Sequence, residues 1–388
     1  MSVDIPERYR RTGLANATLL DRLLALRASM GITRIADITG LDRLGFPVMQ
    51  VIRPFSLSNS VSQGKGPDPT AAAISAILET AECCMAERLD RFQTQIASAG
   101  ALGIPPDRFR WHLREDSAPA WRETDTAWTT ARDLLSGDPS WVPFELVHTA
   151  YVHPPLPHDG MFLSSTTGLA ASFVEAEAVT HGILECIERD AIARAMVTHG
   201  FLQRSRIDLT TIDHPGLAEL IGSLTAKGML VALWHAPNAV SVPVIWCQLM
   251  ESEAMPDPLL PYQSDGSAAS LDVAAAIGHA IYEAAQTRLA AISGARDDMS
   301  RAAFPKYPDW DRIRAHRRLL SHGPASIDYR TLVDRSDPAG GTELERLLAL
   351  LRQAGVPNAF LTQIDTAPAT DLSVVRVLIP ALRPLLDG

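Results

Sequence analysis

In the stretch 177-EAVTHGILECIERDAIAR-194, the carboxylates Glu177, Glu185 and Glu188 stand with His181 among Ala, Val, Ile and Leu. At about 100° per residue these four share one side of a helix. Val179, Ile183, Cys186 and Ile187 take the other side. An acidic face is ordinarily a solvated face, but a solvated face mixes in Lys or Arg at i+4 spacing. Here the acids stand together with few basic partners and repel one another. A positive charge is therefore expected beside them.

The device recurs. Upstream lies 71-AAAISAILETAECCMAER-88 and downstream 275-AAIGHAIYEAAQTRLAAI-292. When Glu79, Glu185 and Glu283 are aligned, Ala72, Ala178 and Ala276 stand seven residues before them, and Ser75, His181 and His279 four before. Ile77, Ile183 and Ile281 stand two before, and Glu82, Glu188 and Gln286 three after. Each helix thus shows a polar residue, an acid, and an acid or amide along one face. The approaches also match: 168-GLAASFVEAEA-178 and 266-GSAASLDVAAA-276 share G-x-A-A-S-[FL]-x-x-A-x-A, and 63-QGKGPDPTAA-72 is a shorter Gly-rich counterpart. Read as Gly-rich turns entering helices, they would offer free N–H groups to an anion. No Walker A pattern G-x-x-x-x-G-K-[ST] is present.

Elements must hold these helices. Short β-branched runs bounded by Gly, Pro or Asn read as strands at 48-VMQVIRP-54, 148-HTAYVHP-154, 228-GMLVALWHA-236, 242-VPVIWCQLM-250 and 372-LSVVRVLIP-380. The stretch 102–140, rich in Arg, Trp, Asp and Ser, reads as an irregular connection, and 296–328 as helical. Strand-rich segments alternating with long helices predict an α/β (mixed α+β) body, in which repeated sheet-plus-helix units bring three acidic-faced helices to one central site. The 388 residues are 46% hydrophobic, enough for a large core, and no linker demands separate domains. A net charge of -10 argues against electrostatic binding of nucleic acid. Neither a signal peptide nor an apolar run of membrane-spanning length is visible. Cys83, Cys84, Cys186 and Cys247 form no C-x-x-C, and the expectation is reduced thiols in a cytoplasmic protein.

So many acids cannot stay ionised and half-buried without cations. Lys65, Arg189, Arg288 and Arg296 can contribute. Carboxylate and amide oxygens, with few His and no suitable Cys, favour Mg²⁺, which usually shares its shell with phosphates. An ATP–Mg²⁺ site of unfamiliar type is the leading reading. A carboxylate-bridged di-iron bundle would want E-x-x-H pairs, and none lies on these helices. A glycosidase acid pair and purely structural charge are the remaining readings. His153 and His158, in a Pro-rich stretch, read as loop residues. His181 and His279 point to the acidic face, and Glu283 reads as supporting a metal or linked to it.

At these residues the chain resembles the YcaO family. The family's S-x-x-x-E-x-x-E-R is matched by Ser75, Glu79 and Glu82, with Cys83 in place of Arg. Its second element is matched by 165-STTGLA-170 and 177–190, and its third by 283-EAAQTR-288 and 294-GARDD-298. The likeness extends to 31-GITRIADITGLDRLGFPV-48 and 62-SQGKG-66. It implies a YcaO-type fold in one domain, 1–388, with an N-terminal segment 1–50 and an ATP-binding core 51–388. It also implies an ATP- and Mg²⁺-dependent enzyme that activates a peptide backbone amide by phosphorylating its oxygen.

Carried over by motif, Glu79, Glu82, Glu177, Glu185 and Glu188 hold Mg²⁺ and phosphates, and Ser75 belongs to the same nucleotide element. Gln286, Arg288 and Arg296 contact nucleotide or phosphate, and Lys65 a phosphate. The GITR…DITGLDRLG…SQGKG run resembles the branch that works with TfuA proteins and forms thioamides on ribosomal peptides or proteins. The alternatives are an azoline-forming cyclodehydratase and a non-catalytic ATP-binding scaffold. No further domain precedes the YcaO region, so a TfuA-like or leader-peptide-binding partner is expected, along with a homodimer. Phe173 stands where the second element often has Asn.

Overall fold

The computed structural model describes residues 16–255, 258–295, 308–337, 339, 341–364 and 371–385. The first unit comprises α1 (Asn16–Ala25), β1 (Arg34–Asp37), β2 (Val48–Ile52), β3 (Val61–Lys65) and α2 (Pro69–Ala86). Next come β4 (Thr94–Ser98), β5 (Asp125–Asp133), β6 (Pro139–Pro143), β7 (Leu169–Ser172), α3 (Glu175–Val197), α4 (Phe201–Arg204) and β8 (Ile207–Asp208). The third unit comprises α5 (Pro215–Ala226), β9 (Met229–His235), β10 (Val244–Glu251), β11 (Ser264–Ala269) and α6 (Val273–Ser293). The chain continues through α7 (Trp310–His322), β12 (Ile327–Asp328), α8 (Glu343–Gln353), β13 (Phe360–Ile364) and β14 (Ser373–Leu378).

The repeat seen in the sequence is a repeat of topology. Sheets β1-β2-β3 and β9-β10-β11 are antiparallel meanders, and in each the last strand leads into an acidic helix. In the first, α1 and α2 pack together through Leu19, Leu23, Ile74 and Ile77. In the third, α5 and α6 do the same through Leu217, Leu220, Ile277 and Ile281. The middle unit has the order β4-β5-β13-β14-β7, so two C-terminal strands separate β7 from the strands that precede it in the chain. Most pairings are antiparallel; β8 with β12 is parallel. The mixed α/β class holds.

Glycines in the leading strands permit this packing. A Cβ on Gly64 would overlap Ala76 N and Ala72 O of α2. A Cβ on Gly266 would overlap Ala284 N and Ala280 O of α6. A Cβ on Gly168, at φ +81, would overlap Val377 O of β14 and crowd the Sγ of Cys186, one residue past Glu185. Ala72, Ala178 and Ala276, the matched alanines, are all buried. Small side chains on both partners let strand and helix backbones meet, which is why these helices are Ala-rich on that side.

Four expectations change. The Gly-rich segments are not anion-binding turns: 63–65, 169–172 and 266–269 are strand. The N-termini of α2 and α6 are capped by Asp68 and Asp272, which accept from Ala71 N and Ala275 N at 2.9 and 3.0 Å. Carboxylate caps already occupy the positive helix ends. The stretch 148–154 is not a strand; Thr149 Oγ1 bonds Cys83 O at 3.0 Å, and Pro154 with Pro155 beyond it offers no ladder donor at its end. The stretch 102–140 contains β5, paired with β6 in a hairpin and with β4 and β13 beyond. The run 126-TAWTT-130 carried that signal amid polar neighbours. The division at residue 50 falls inside β2, which pairs on both sides. Of the helix expected at 296–328, α7 lies inside it, while 296–307 lie outside the described residues.

The close approaches set a stability test. Gly64→Ala and Gly266→Ala are each expected to destabilise the chain by roughly 3 kcal/mol, because backbone must move. Gly222 in α5 has open space around its Cβ position. Gly222→Ala should therefore stabilise by about 1 kcal/mol. Chemical denaturation midpoints of the three variants check both signs.

Candidate functional site

The acidic faces meet because the three units interlock in a ring. Glu82 of α2 accepts from Ala171 N of β7 at 2.9 Å. Glu188 of α3 accepts from Ser267 Oγ of β11 at 2.7 Å. Gln286 of α6 donates to Gln63 O of β3 at 3.3 Å. These are the three residues one turn past the aligned acids, and each reaches the leading strand of the next unit. The last reaches back to the first. Lys65 Nζ of β3 and Glu283 Oε2 of α6 pair at 2.5 Å across the same junction.

Further contacts fix the acids. Gly168 N donates to Glu185 Oε2 at 2.9 Å, and Ser172 Oγ to Glu177 Oε2 at 2.8 Å. Arg189 lies 3.5 Å from Glu185 and 3.6 Å from Glu188. Ser75, Glu79, Glu82, Glu177 and Glu185 are half-buried, and Glu188 is buried. Arg189 thus pairs with both Glu185 and Glu188, and Lys65 with Glu283.

The charge imbalance shows in the proton affinities. Burial raises the Glu188 carboxyl to about 7; Arg189 opposes this, while Glu283 and Glu185 add to it. Burial also pushes Glu283 up, but Lys65 and Arg189 outweigh it and hold the carboxyl below its ordinary value. Burial lowers Arg189, yet Glu188, Glu185 and Glu283 raise it net and keep it protonated. The Cys83 thiol is pushed up to about 12 by burial and by Glu79 and Glu82, so it is no nucleophile at neutral pH. Cys186 is also raised to about 12 by burial. His181 is exposed and His279 half-buried on the helices' polar side.

The donor set suits Mg²⁺ with phosphates. Among the described residues no group of three His, Cys, Asp or Glu side chains forms a ready metal cluster. Mg²⁺ needs only one or two carboxylates when phosphates and water complete its shell. The raised Glu188 carboxyl marks a place where positive charge is wanted. Gln63, 1% exposed, has neither amide atom bonded and lies on the strand that also carries Lys65. The sequence contained this residue in SQGKG, and strand alternation places Gln63 and Lys65 on one face. Ser267 was likewise hidden inside a Gly-rich run.

Two expected residues lie elsewhere. Arg288 is 1% exposed and bonds Asp42 Oδ2 at 2.8 Å and Glu251. It stands two residues from Gln286, about 200° around the helix, so the two cannot share the acidic face. Arg288 is thus a buried structural cation rather than a nucleotide contact. Arg296 lies outside the described residues. Phe173 is half-buried, with the Arg22 guanidinium 3.8 Å from its ring centroid.

Known proteins share this architecture. Residues 63–383 match the family described as YcaO cyclodehydratase, ATP- and Mg²⁺-binding. A protein of Methanothermobacter thermautotrophicus is 30% identical over 91% of this chain and 90% of its own length. A Rhizobium leguminosarum bv. trifolii protein, described as lying in the tfuA 3′ region, is 30% identical over 92% of this chain and 85% of its own. The structure of YcaO from Methanopyrus kandleri, bound with AMPPCP and Mg²⁺, superposes with a TM-score of 0.71 at 24% identity, covering 95% of this chain and 91% of that one. A heterocyclase in complex with substrate and cofactor superposes at 0.72 and 18% identity, covering 97% of this chain and 54% of that one, so this chain spans about half its length.

Two outcomes follow from the site's electrostatics. Between the ordinary carboxylate value and about 7, the unfolded chain has released the Glu188 proton and the folded chain still holds it. Stability therefore falls as pH rises through that window, by up to about 3 kcal/mol. In chelator, Glu188→Gln should remove that slope from the thermal unfolding profile. Arg288→Ala should lose about 3–5 kcal/mol, because Asp42 and Glu251 are left buried and unpaired. Arg288→Ala should leave nucleotide affinity unchanged in calorimetry of its folded fraction.

Proposed function

The chain belongs to the YcaO family, and on that premise we propose that it forms thioamides on a peptide or protein substrate together with a TfuA-like partner. ATP and Mg²⁺ are its cofactors. The observation that carries the reading is the ring of interlocked acidic helices, in which Glu82, Glu188 and Gln286 each bond the strand of a neighbouring unit while Arg189 pairs with Glu185 and Glu188 and Lys65 with Glu283. The relative in a tfuA 3′ region supports the choice of partner and of sulfur chemistry.

An amide oxygen is a poor leaving group. Bound ATP supplies the phosphoryl group that makes it a good one, and Mg²⁺ supplies positive charge for the transfer. A sulfide nucleophile adds to the amide carbon, the oxygen departs as phosphate, and loss of a proton leaves C=S. Within this chemistry the protein positions and balances charge. Glu185, held by Gly168 N, and Glu188, held by Ser267, are oriented to ligand metal. Glu79, Glu82 and Glu177 extend the same acidic surface. Lys65 ends β3 at the junction with α6, where it neutralises phosphate or Glu283. Ser75 and Gln286 lie on the helices' polar side, within the elements that match the family's nucleotide motifs. The chain works as one unit, and a homodimer is part of the proposal.

Calorimetric titration of Mg²⁺–ATP is expected to show binding by wild type and at least a tenfold loss in Glu185→Ala. The reaction is read by mass spectrometry of a peptide incubated with this chain, a TfuA-like protein, ATP and sulfide. Sulfide-dependent exchange of oxygen for sulfur is the expected result. Loss of water without sulfide makes the chain an azoline former. Nucleotide binding with no turnover, with partner and substrate present, makes it a scaffold.

A further inference from the structure

Behind the acidic row lies a second polar site of opposite sign. On the side of α3 away from the carboxylates, Cys186 faces a cavity of about 20 Å³. The cavity is closed by Ser165 and Thr167 of the loop before β7, by His112, by Arg376 of β14 and by Arg383 of the C-terminal segment. Among the described residues no carboxylate lines it. Its volume exceeds the 10–15 Å³ or so that one water requires.

The lining holds guanidinium N–H groups without partners. Arg376 is 2% exposed; its Nε donates to Leu146 O at 2.9 Å and its Nη2 to Ser165 O, while Nη1 has no partner. His112 is 8% exposed; burial and the neighbouring Arg376 push its pKa down to about 4, so the ring stands neutral at the cavity wall with Nε2 unbonded. Arg383 lies flat over Trp111, 4.0 Å from the ring centroid, with its Nε buried and unbonded. Among the described residues Arg376 thus meets two carbonyl oxygens and no carboxylate in the interior. Buried charges are compensated, and carbonyl dipoles alone compensate poorly. A guanidinium with an idle N–H beside a void is a ready half of an anion site.

We propose that this cavity binds a small inorganic anion, a halide or a compact oxyanion, held by Arg376 and Arg383. The anion completes the charge balance of Arg376. Through Ser165 O and Thr167 it steadies the loop whose next residue, Gly168, holds Glu185. The site is separate from the one that takes nucleotide, since the two lie on different faces of α3 and want opposite charges.

The full chain is titrated with bromide at constant ionic strength, gluconate making up the balance, and its thermal midpoint is followed. A saturable rise is expected, since binding to the folded state alone raises the folded-to-unfolded ratio about 100-fold at 100 times the dissociation constant. Phosphate in place of bromide separates oxyanion from halide preference. Arg376→Gln should abolish the saturable rise; should that variant fail to fold, Arg383→Gln, which removes a less buried donor, should weaken it. A crystal grown in bromide should show anomalous signal beside Arg376 Nη1. A midpoint that tracks ionic strength without saturation, an undiminished rise in the variants, or a bromide peak elsewhere would overturn the proposal.

Discussion

One interaction, made three times, holds the site together. The residue one turn past each central acid bonds to the leading strand of the next unit: Glu82 to β7, Glu188 to β11, Gln286 to β3. A bond to a charged carboxylate contributes about 1.5–3 kcal/mol, and a neutral one about 1. The energies are ordinary; the closure is not. Because the third bond returns to the first unit, no acidic helix can shift along its axis without straining its neighbours. Carboxylates that repel one another are thereby held side by side, which free helices would avoid. The glycines at 64 and 266 make this possible by letting α2 and α6 lie directly on their strands, and Gly182 of α3 does the same against Gly168 O and Val377.

The electrostatics follow from that enforced proximity. Arg189 is shared between Glu185 and Glu188, and Lys65 is spent on Glu283. Burial, with Glu283 and Glu185 adding to it against Arg189, raises the Glu188 carboxyl to about 7. Compare Arg288, one turn and a half along from Glu283, where a buried cation meets Asp42 and Glu251 and the account closes. That cluster has no use for a ligand. The acidic ring does, and a divalent cation bridging to phosphates is the species whose charge and ligand preference meet the need. Binding it also relieves the repulsion that the ring enforces, so ligand affinity and the stability of the interlocked units are linked.

Much of this was legible in the chain because helical periodicity is local. The three acidic faces, the buried alanines at 72, 178 and 276, and the matched positions of Glu82, Glu188 and Gln286 follow from spacing alone. What spacing cannot show is which strand each helix meets. That the partner of Glu188 is Ser267 depends on a contact between residues far apart in the chain, and nothing near either residue encodes it. The same holds for β7, whose neighbour β14 arrives from the C-terminus. Arg288 was misplaced for a different reason. Motif matching carried it over with Gln286, although their separation already put them on different faces. In 102–140, strand β5 was masked by polar neighbours, because its burial comes from sheet partners rather than from its own composition.

The departures from the family pattern can be weighed against the ring. Cys83 replaces a cation beside Glu79 and Glu82, and its thiol, pushed up to about 12, brings no charge. Phe173 replaces a polar residue just before α3, and its ring receives the Arg22 guanidinium, a cation–π contact that anchors α1 to the turn. Neither change touches Glu82, Glu188, Gln286 or the glycines that the interlock requires. A chain that had lost its ligand would gain stability by losing these repelling acids, since each one removed would lower the charge the fold must bear. Keeping all of them, together with the bonds that force them together, is consistent with a site whose charge is used.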